Sequence, residues 1–289
     1  MKSSKCDSCN LSDSCQEQDS ETVCAADRMA RIKHKIIIAS GKGGVGKSTV
    51  SVNLARALQI RGSSVGVLDA DITGPSIPKL LGIEEQKMRR GPEGIEPADA
   101  GGIKVASMAL LLPSKDSAVV WRGPMKMAAI KQFIQDVNWG DLDYLIIDLP
   151  PGTSDEPLSV LQLIPDLTGA IIVTTPQEVA LLDSSKAVNM VRSMKLPVLG
   201  IVENMSGLFC PHCGKAVDIF STGGGRRMAE EMNVPFLGAI PIDPEVCARG
   251  DRGATFTERE TPAGSSFRKI TDKLLAIIGR PEKEYLAGD

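Results

Sequence analysis

The chain has 289 residues, enough for one large α/β domain or two small ones, and with 42% hydrophobic but only 3% aromatic residues its core must be built from Val, Ile, Leu, Ala and Met. A net charge of −3 with no basic block argues against nucleic acid as the main partner. No apolar run approaches the ~20 residues of a membrane span, and the polar N-terminus lacks an apolar signal region, so no membrane partner and a cytoplasmic location are expected.

Residues 1–30 read as a separate flexible segment, rich in Ser, Asp, Gln and Glu and carrying Cys6, Cys9, Cys15 and Cys24. Residues 31–289 read as one domain in which strands and helices alternate. The expected strands are 36–40, 65–70, 103–106, 144–148, 170–174, 198–203 and 236–240. Between them fall amphipathic helical faces. Ile130, Phe133, Ile134 and Val137 share one, and Ala187, Met190, Val191 and Met194 another. Phe267, Ile270, Leu274, Ile277 and Ile278 form a third near the C-terminus. This alternation predicts a doubly wound, mostly parallel sheet, with ligand at the carboxyl ends of its strands. Residues 205–222 interrupt the rhythm and carry two cysteines.

The first strand runs directly into Gly41-Lys42-Gly43-Gly44-Val45-Gly46-Lys47-Ser48, followed by Thr49 and a helix-compatible stretch to Ile60. Strand, glycine-rich loop, Gly-Lys-Ser and helix is the order of a phosphate loop. The glycines let backbone N–H groups converge on phosphate oxygens, Lys47 reaches the terminal phosphates, and Ser48 offers a hydroxyl to Mg2+. Two rivals exist. Gly41, Gly43 and Gly46 also satisfy the dinucleotide pattern, with Asp69 ending the next strand, and the bland reading is a glycine-rich turn without a ligand. Lys47-Ser48 is required only by the triphosphate reading. So is a buried-strand run ending in Asp148, as a Walker B strand does, before Leu149-Pro150-Pro151-Gly152-Thr153.

Cys210-Pro211-His212-Cys213 supplies two thiolates at chelating spacing, half of what zinc or a [4Fe-4S] cluster requires. Two such pairs facing each other across a twofold axis would make a site of four thiolates. The residues themselves leave zinc and iron–sulfur equally open, with a redox disulfide as a third option. His212 reads as a solvent-facing spacer, Cys247 as a small core residue, and Gly223-Gly224-Gly225 as a flexible entry to a helix.

Lys42, before the paired glycines, is the extra lysine of deviant Walker A loops. Together with Leu68-Asp69-Ala70-Asp71-Ile72-Thr73-Gly74-Pro75-Ser76, the Asp148–Thr153 segment, Val202-Glu203-Asn204-Met205-Ser206 and the Cys210–Cys213 pair, it makes residues 33–280 resemble the Mrp family of iron–sulfur cluster carrier and scaffold ATPases. The resemblance implies a homodimer holding two ATP molecules near its interface, with Lys42 reaching the partner's nucleotide. Asp71 would act near the attacking water in a first switch, and Asp148 would hold the magnesium shell in a second. Asn204 and the loop containing Pro241 and Asp243 would contact adenine. The cysteine pair would hold a bridging [4Fe-4S] cluster destined for recipient apo iron–sulfur proteins. The spacing of Cys6, Cys9 and Cys15 resembles the N-terminal cluster motif of a subset of the family, so these cysteines could hold a second cluster. Cys24 departs from that motif, whose further cysteine lies upstream. The competing functions are a ParA/MinD-like positioning ATPase with structural zinc, and an ATP-gated reductase. A small-molecule kinase is a distant fourth. The short polar tail 280–289 offers the positioning reading no membrane anchor.

Overall fold

The aliphatic runs assemble into one sheet because each is apolar on both faces and must be covered on both. The computed structural model describes residues 28–112, 121, 123–210, 213, 215–217 and 219–279. In chain order the elements begin with β1 (Ile32–Ala39), α1 (Lys47–Ile60), β2 (Val65–Asp69) and α2 (Ile77–Leu80). Then follow β3 (Arg89–Gly91), β4 (Gly94–Glu96), β5 (Ala98–Asp99), β6 (Ile103–Ala106), α3 (Gly123–Asp136) and β7 (Leu142–Asp148). Next come α4 (Asp155–Leu163), β8 (Gly169–Thr174), α5 (Glu178–Ser193), β9 (Val198–Glu203), β10 (Leu208–Phe209) and β11 (Ala216–Val217). The chain closes with α6 (Gly224–Glu231), β12 (Phe236–Ala239), α7 (Pro244–Asp251) and α8 (Pro262–Ile278).

The main sheet has eight strands in the order β12-β9-β8-β1-β7-β2-β6-β5. All pairs are parallel except β5 with β6. All seven expected strands are in it, so the doubly wound reading holds. β1 lies between β7 and β8, where the winding reverses, and such a switch point opens a crevice at the carboxyl ends of the strands. Ile36, Ile37 and Ile38 of β1 are fully buried and lie in register with Ile146, Ile147 and Asp148 of β7. Full burial of each such side chain contributes about 1.5–3 kcal/mol, which anchors the strand that feeds the loop.

The expected helical faces point inward: Ile130, Phe133, Ile134 and Val137 are buried, as are Phe267, Ile270 and Leu274. Met190, Met194, Ile277 and Ile278 are half-buried against the same core. The opposite end of the sheet, where β1 and β7 begin, is tied by exposed pairs. Arg31 meets Asp141 at 2.8 Å and Lys33 meets Asp143 at 2.7 Å. Asp143 also accepts the N–H and O–H of Ser64, both at 2.8 Å. The Lys33 hydrogen bond, with those of Ser64, pulls the Asp143 carboxyl down to about 2.

Candidate functional site

The segment after β1 turns at Gly46, whose φ of 85° is left-handed, and enters α1 at Lys47. Glycine is needed there twice over. The conformation is one that side chains resist, and a Cβ would lie 2.2 Å from Asn204 Nδ2. Gly43 and Gly44 are exposed, while Val45 is buried and anchors the loop. Lys47 lies at the start of α1 and donates from Nζ to Asp148 Oδ2 at 2.7 Å. Ser48 Oγ donates to the same oxygen at 2.6 Å, and Ser51 Oγ donates to Oδ1 at 2.6 Å. Asp148, at the end of β7, is fully buried. One carboxylate thus gathers the loop lysine and two helix hydroxyls, charge-assisted bonds that fix all four side chains.

Beside it stands Asp69, in register with Asp148 across β2 and β7 and also buried. Burial and then the Asp148 charge push its carboxyl well above the usual range, against the Ser107 Oγ hydrogen bond of 2.9 Å. Asp71 follows two residues on. Its N–H reaches Asp69 Oδ1 at 3.3 Å, and its own Oδ1 accepts from Gly74 N–H at 3.1 Å. Lys126 of α3 donates to Thr73 Oγ1 at 2.9 Å and Glu156 Oε1 at 2.7 Å. It therefore bridges the Asp71 loop to the helix that follows Asp148. Thr49 is half-buried in α1, and its carbonyl accepts from Asn53 Nδ2 at 2.8 Å. Lys42 is half-buried, its carbonyl held by Ser40 Oγ at 2.9 Å.

Asn204 follows β9 and donates from Nδ2 to Val45 O at 2.9 Å, reaching into the glycine loop. The 240–243 segment runs beside it, with Ile240 N–H on Glu203 O at 2.8 Å. Pro241 is buried. Asp243 caps α7 by accepting Glu245 N–H at 2.9 Å, and its Oδ2 is buried without a partner among the described residues. An orphan acceptor there suits a ligand N–H donor. The cysteines follow within the same edge. Gly207 O accepts Ile242 N–H at 2.8 Å, and β10 and β11 then form a small antiparallel hairpin. Cys210 N–H donates to Lys215 O at 2.9 Å across its tip, and Cys213 is exposed.

This arrangement has counterparts among known proteins. A family model described as ParA, NUBPL iron-transfer P-loop NTPase, matches residues 31–275. The chain belongs to this family. The resemblance carried by its motifs therefore holds along most of its length. The iron-sulfur cluster carrier protein of Methanocaldococcus jannaschii is 50% identical over 282 residues, covering 95% of this chain and 96% of that one. The cytosolic Fe-S cluster assembly factor NUBP2 homolog of Dictyostelium discoideum is 51% identical over 238 residues, covering 80% and 89%. Among solved structures, the nucleotide-binding protein of Archaeoglobus fulgidus in complex with ADP superposes with a TM-score of 0.74 at 41% identity, covering 85% of this chain and 96% of that one. The cell-division ATPase MinD of Pyrococcus furiosus, at TM-score 0.63 and 24% identity over 84% and 99%, shares the fold.

Within this family fold, the loop 41–49, Asp71, Asp148, Asn204 and the Pro241–Asp243 loop all emerge at the carboxyl end of the sheet, with the Cys210/Cys213 hairpin beside them. Cys6, Cys9, Cys15, Cys24 and His212 lie outside the described residues. Two expectations need correction. Cys247 is exposed, not a core residue, because α7 lies on the surface with no fully buried position and turns Val246 inward instead. The glycine run is not a loose entry: Gly223 and Gly225 N–H groups are held by the buried Glu203 carboxylate. Sequence reasoning also passed over Ser51, Glu203 and Lys126. Glu203 had a readable signal, an acid closing an apolar strand, the same signal that marks Asp148.

Proposed function

We propose that this chain is a homodimeric ATPase that binds ATP with Mg2+, assembles a [4Fe-4S] cluster on Cys210 and Cys213 from two subunits, and passes it to recipient apo iron–sulfur proteins. The observation that carries this reading is adjacency. Asn204, the residue that touches the glycine loop, lies four positions before the hairpin that bears the thiols and six before Cys210. The nucleotide half is supported by Lys47, Ser48 and Asp148, a donor and acceptor set fit for phosphate and a magnesium shell. Lys42 and Asp71 are assigned to hydrolysis, the lysine as a cation supplied across the dimer to the transferred phosphoryl group. The orphan Asp243 Oδ2 fits an adenine amino group.

The metal half follows from ligand number. Two thiols, Cys213 exposed and Cys210 half-buried, leave two coordination positions for a second copy. Exposed Val179, Leu182, Ile219 and Phe220 supply apolar surface for that seam, since Ser221 Oγ on Pro176 O, at 3.3 Å, brings the segment after the hairpin to the start of α5. A cluster held at a seam is accessible to a recipient. The names of the curated relatives support the same reading. The N-terminal cysteines are proposed as a second cluster site, and residues 1–30 as a segment apart from the ATPase domain. No helix among the described residues is long and apolar enough to cross a membrane. A cytoplasmic location remains part of the proposal.

The test is iron and acid-labile sulfide on protein isolated anaerobically. Loss of about four iron and four sulfide per dimer in Cys210→Ala/Cys213→Ala is the expected result. Tightly held zinc without sulfide in the wild type would overturn it and favour a structural clamp on a positioning ATPase.

A further inference from the structure

Glu203 is a fully buried carboxylate that belongs to neither candidate site. It sits between them. Its Oε1 accepts Gly223 N–H at 3.0 Å and the Ser206 hydroxyl, and its Oε2 accepts Gly225 N–H. It thereby caps α6 from another element, where the helix dipole favours a negative group. Burying a carboxylate is costly unless it is well bonded, and three donors hold this one. The neighbouring Asn204 is pinned on both sides, with its N–H on Thr174 O at 2.7 Å and its side chain on Val45 O of the glycine loop. Met205 then takes a left-handed φ of 56°, unusual for a long side chain and tolerated only where the surroundings fix it. Ser206 closes the turn, its hydroxyl on Glu203 and its N–H on Ile240 O at 2.9 Å. Two residues later the cysteine hairpin begins.

We propose that Glu203 is a positioning residue that couples occupancy of the glycine loop, felt through Asn204, to the geometry of the Cys210/Cys213 hairpin through Ser206. The inference rests on the nucleotide and metal reading above and adds the route between the two sites. A shift of the loop at Val45 moves Asn204. The constrained Met205 turn passes that movement to Ser206, and Glu203 decides how Ser206 responds because its other two bonds tie it to α6. Coupling of this kind is reciprocal: nucleotide must change metal affinity by the same factor as metal changes nucleotide affinity.

The experiment titrates Co2+ into full-length protein and reads the part of the thiolate–cobalt absorbance that Cys210→Ala/Cys213→Ala removes, with and without ATP and Mg2+, beside nucleotide titrations with and without Co2+. Wild type is expected to show an affinity shift of about fivefold or more in both directions. In Ser206→Ala both shifts should collapse toward unity, while affinity for each ligand alone is kept. Ser206→Thr, which retains a hydroxyl, should restore them. Glu203→Gln should behave like Ser206→Ala, and Ser206→Ala carries the test if that variant does not fold. A purely structural Glu203 would leave the shifts in Ser206→Ala at the wild-type value, and that result overturns the inference alone. So does a wild type that binds cobalt through the cysteines without any nucleotide dependence. Equal cobalt absorbance in wild type and Cys210→Ala/Cys213→Ala would instead overturn the metal reading, and the inference with it.

Discussion

The phosphate-loop end and the cysteine hairpin differ in how much of their geometry this one chain supplies. Around Asp148 every partner comes from within the chain: Lys47, Ser48 and Ser51 converge on a carboxylate with no exposed surface, backed by the buried centre of the sheet. The hairpin has two-residue strands and an exposed Cys213, and in the function proposed above it carries only half of a four-thiolate set. A site that must hold reacting groups in place is built on the interior, where packing fixes rotamers. A site proposed to release its cargo would gain from a short element whose geometry the rest of the protein can alter.

Asp148→Ala tests the interior half most severely. It leaves the Lys47 ammonium buried without its partner, and a loss of about 3–5 kcal/mol is expected in denaturant unfolding, together with loss of nucleotide binding in calorimetry. Gly46→Ala attacks the join between the halves. It places a side chain at φ 85° and against Asn204, costing about 1–3 kcal/mol of stability and weakening nucleotide binding. Unchanged nucleotide affinity in that variant would uncouple Asn204 from the loop.

Asp143→Asn probes the far end of the sheet, where the comparison predicts no effect on either site. The folded carboxyl is depressed to about 2, so its stabilisation is fully present above its unfolded value and is lost as pH falls from about 4 to about 2. The variant should melt slightly lower than wild type at neutral pH, by ~0–1 kcal/mol as for exposed pairs, and the gap should close across that acid window. Cys213→Ala should move stability least, within about 0.5 kcal/mol, because the side chain is exposed. It should still remove the iron held at the Cys210/Cys213 site, about four per dimer. A large stability loss there would mean that the hairpin is as integral as the loop.

The sheet was legible because its strands are long aliphatic runs, and the loop because Gly46, Lys47 and Ser48 have a spacing few other structures need. The antiparallel β5 and the β3–β4 hairpin were not, since two or three residues carry no periodicity. Asp148 could be picked out because its strand announces it. Its grip on Ser51 could not, although Ser51 lies one turn beyond Lys47 on α1. Cys247 misled because cysteine is so often buried, and only the placement of α7 on the surface shows otherwise. Lys126 lay beyond reach, because it joins two segments that meet only in the folded chain.

The first glycine of the loop has one more effect. A Cβ at Gly41 would stand 2.1 Å from the carbonyl carbon of Asp183, so the loop lies directly on the backbone of α5. Loop and helix cannot open independently without breaking that contact. In amide hydrogen exchange the two should therefore lose protection as one unit, and a nucleotide that slows exchange in the loop should slow it in the helix at Asp183 and Ser184 as well.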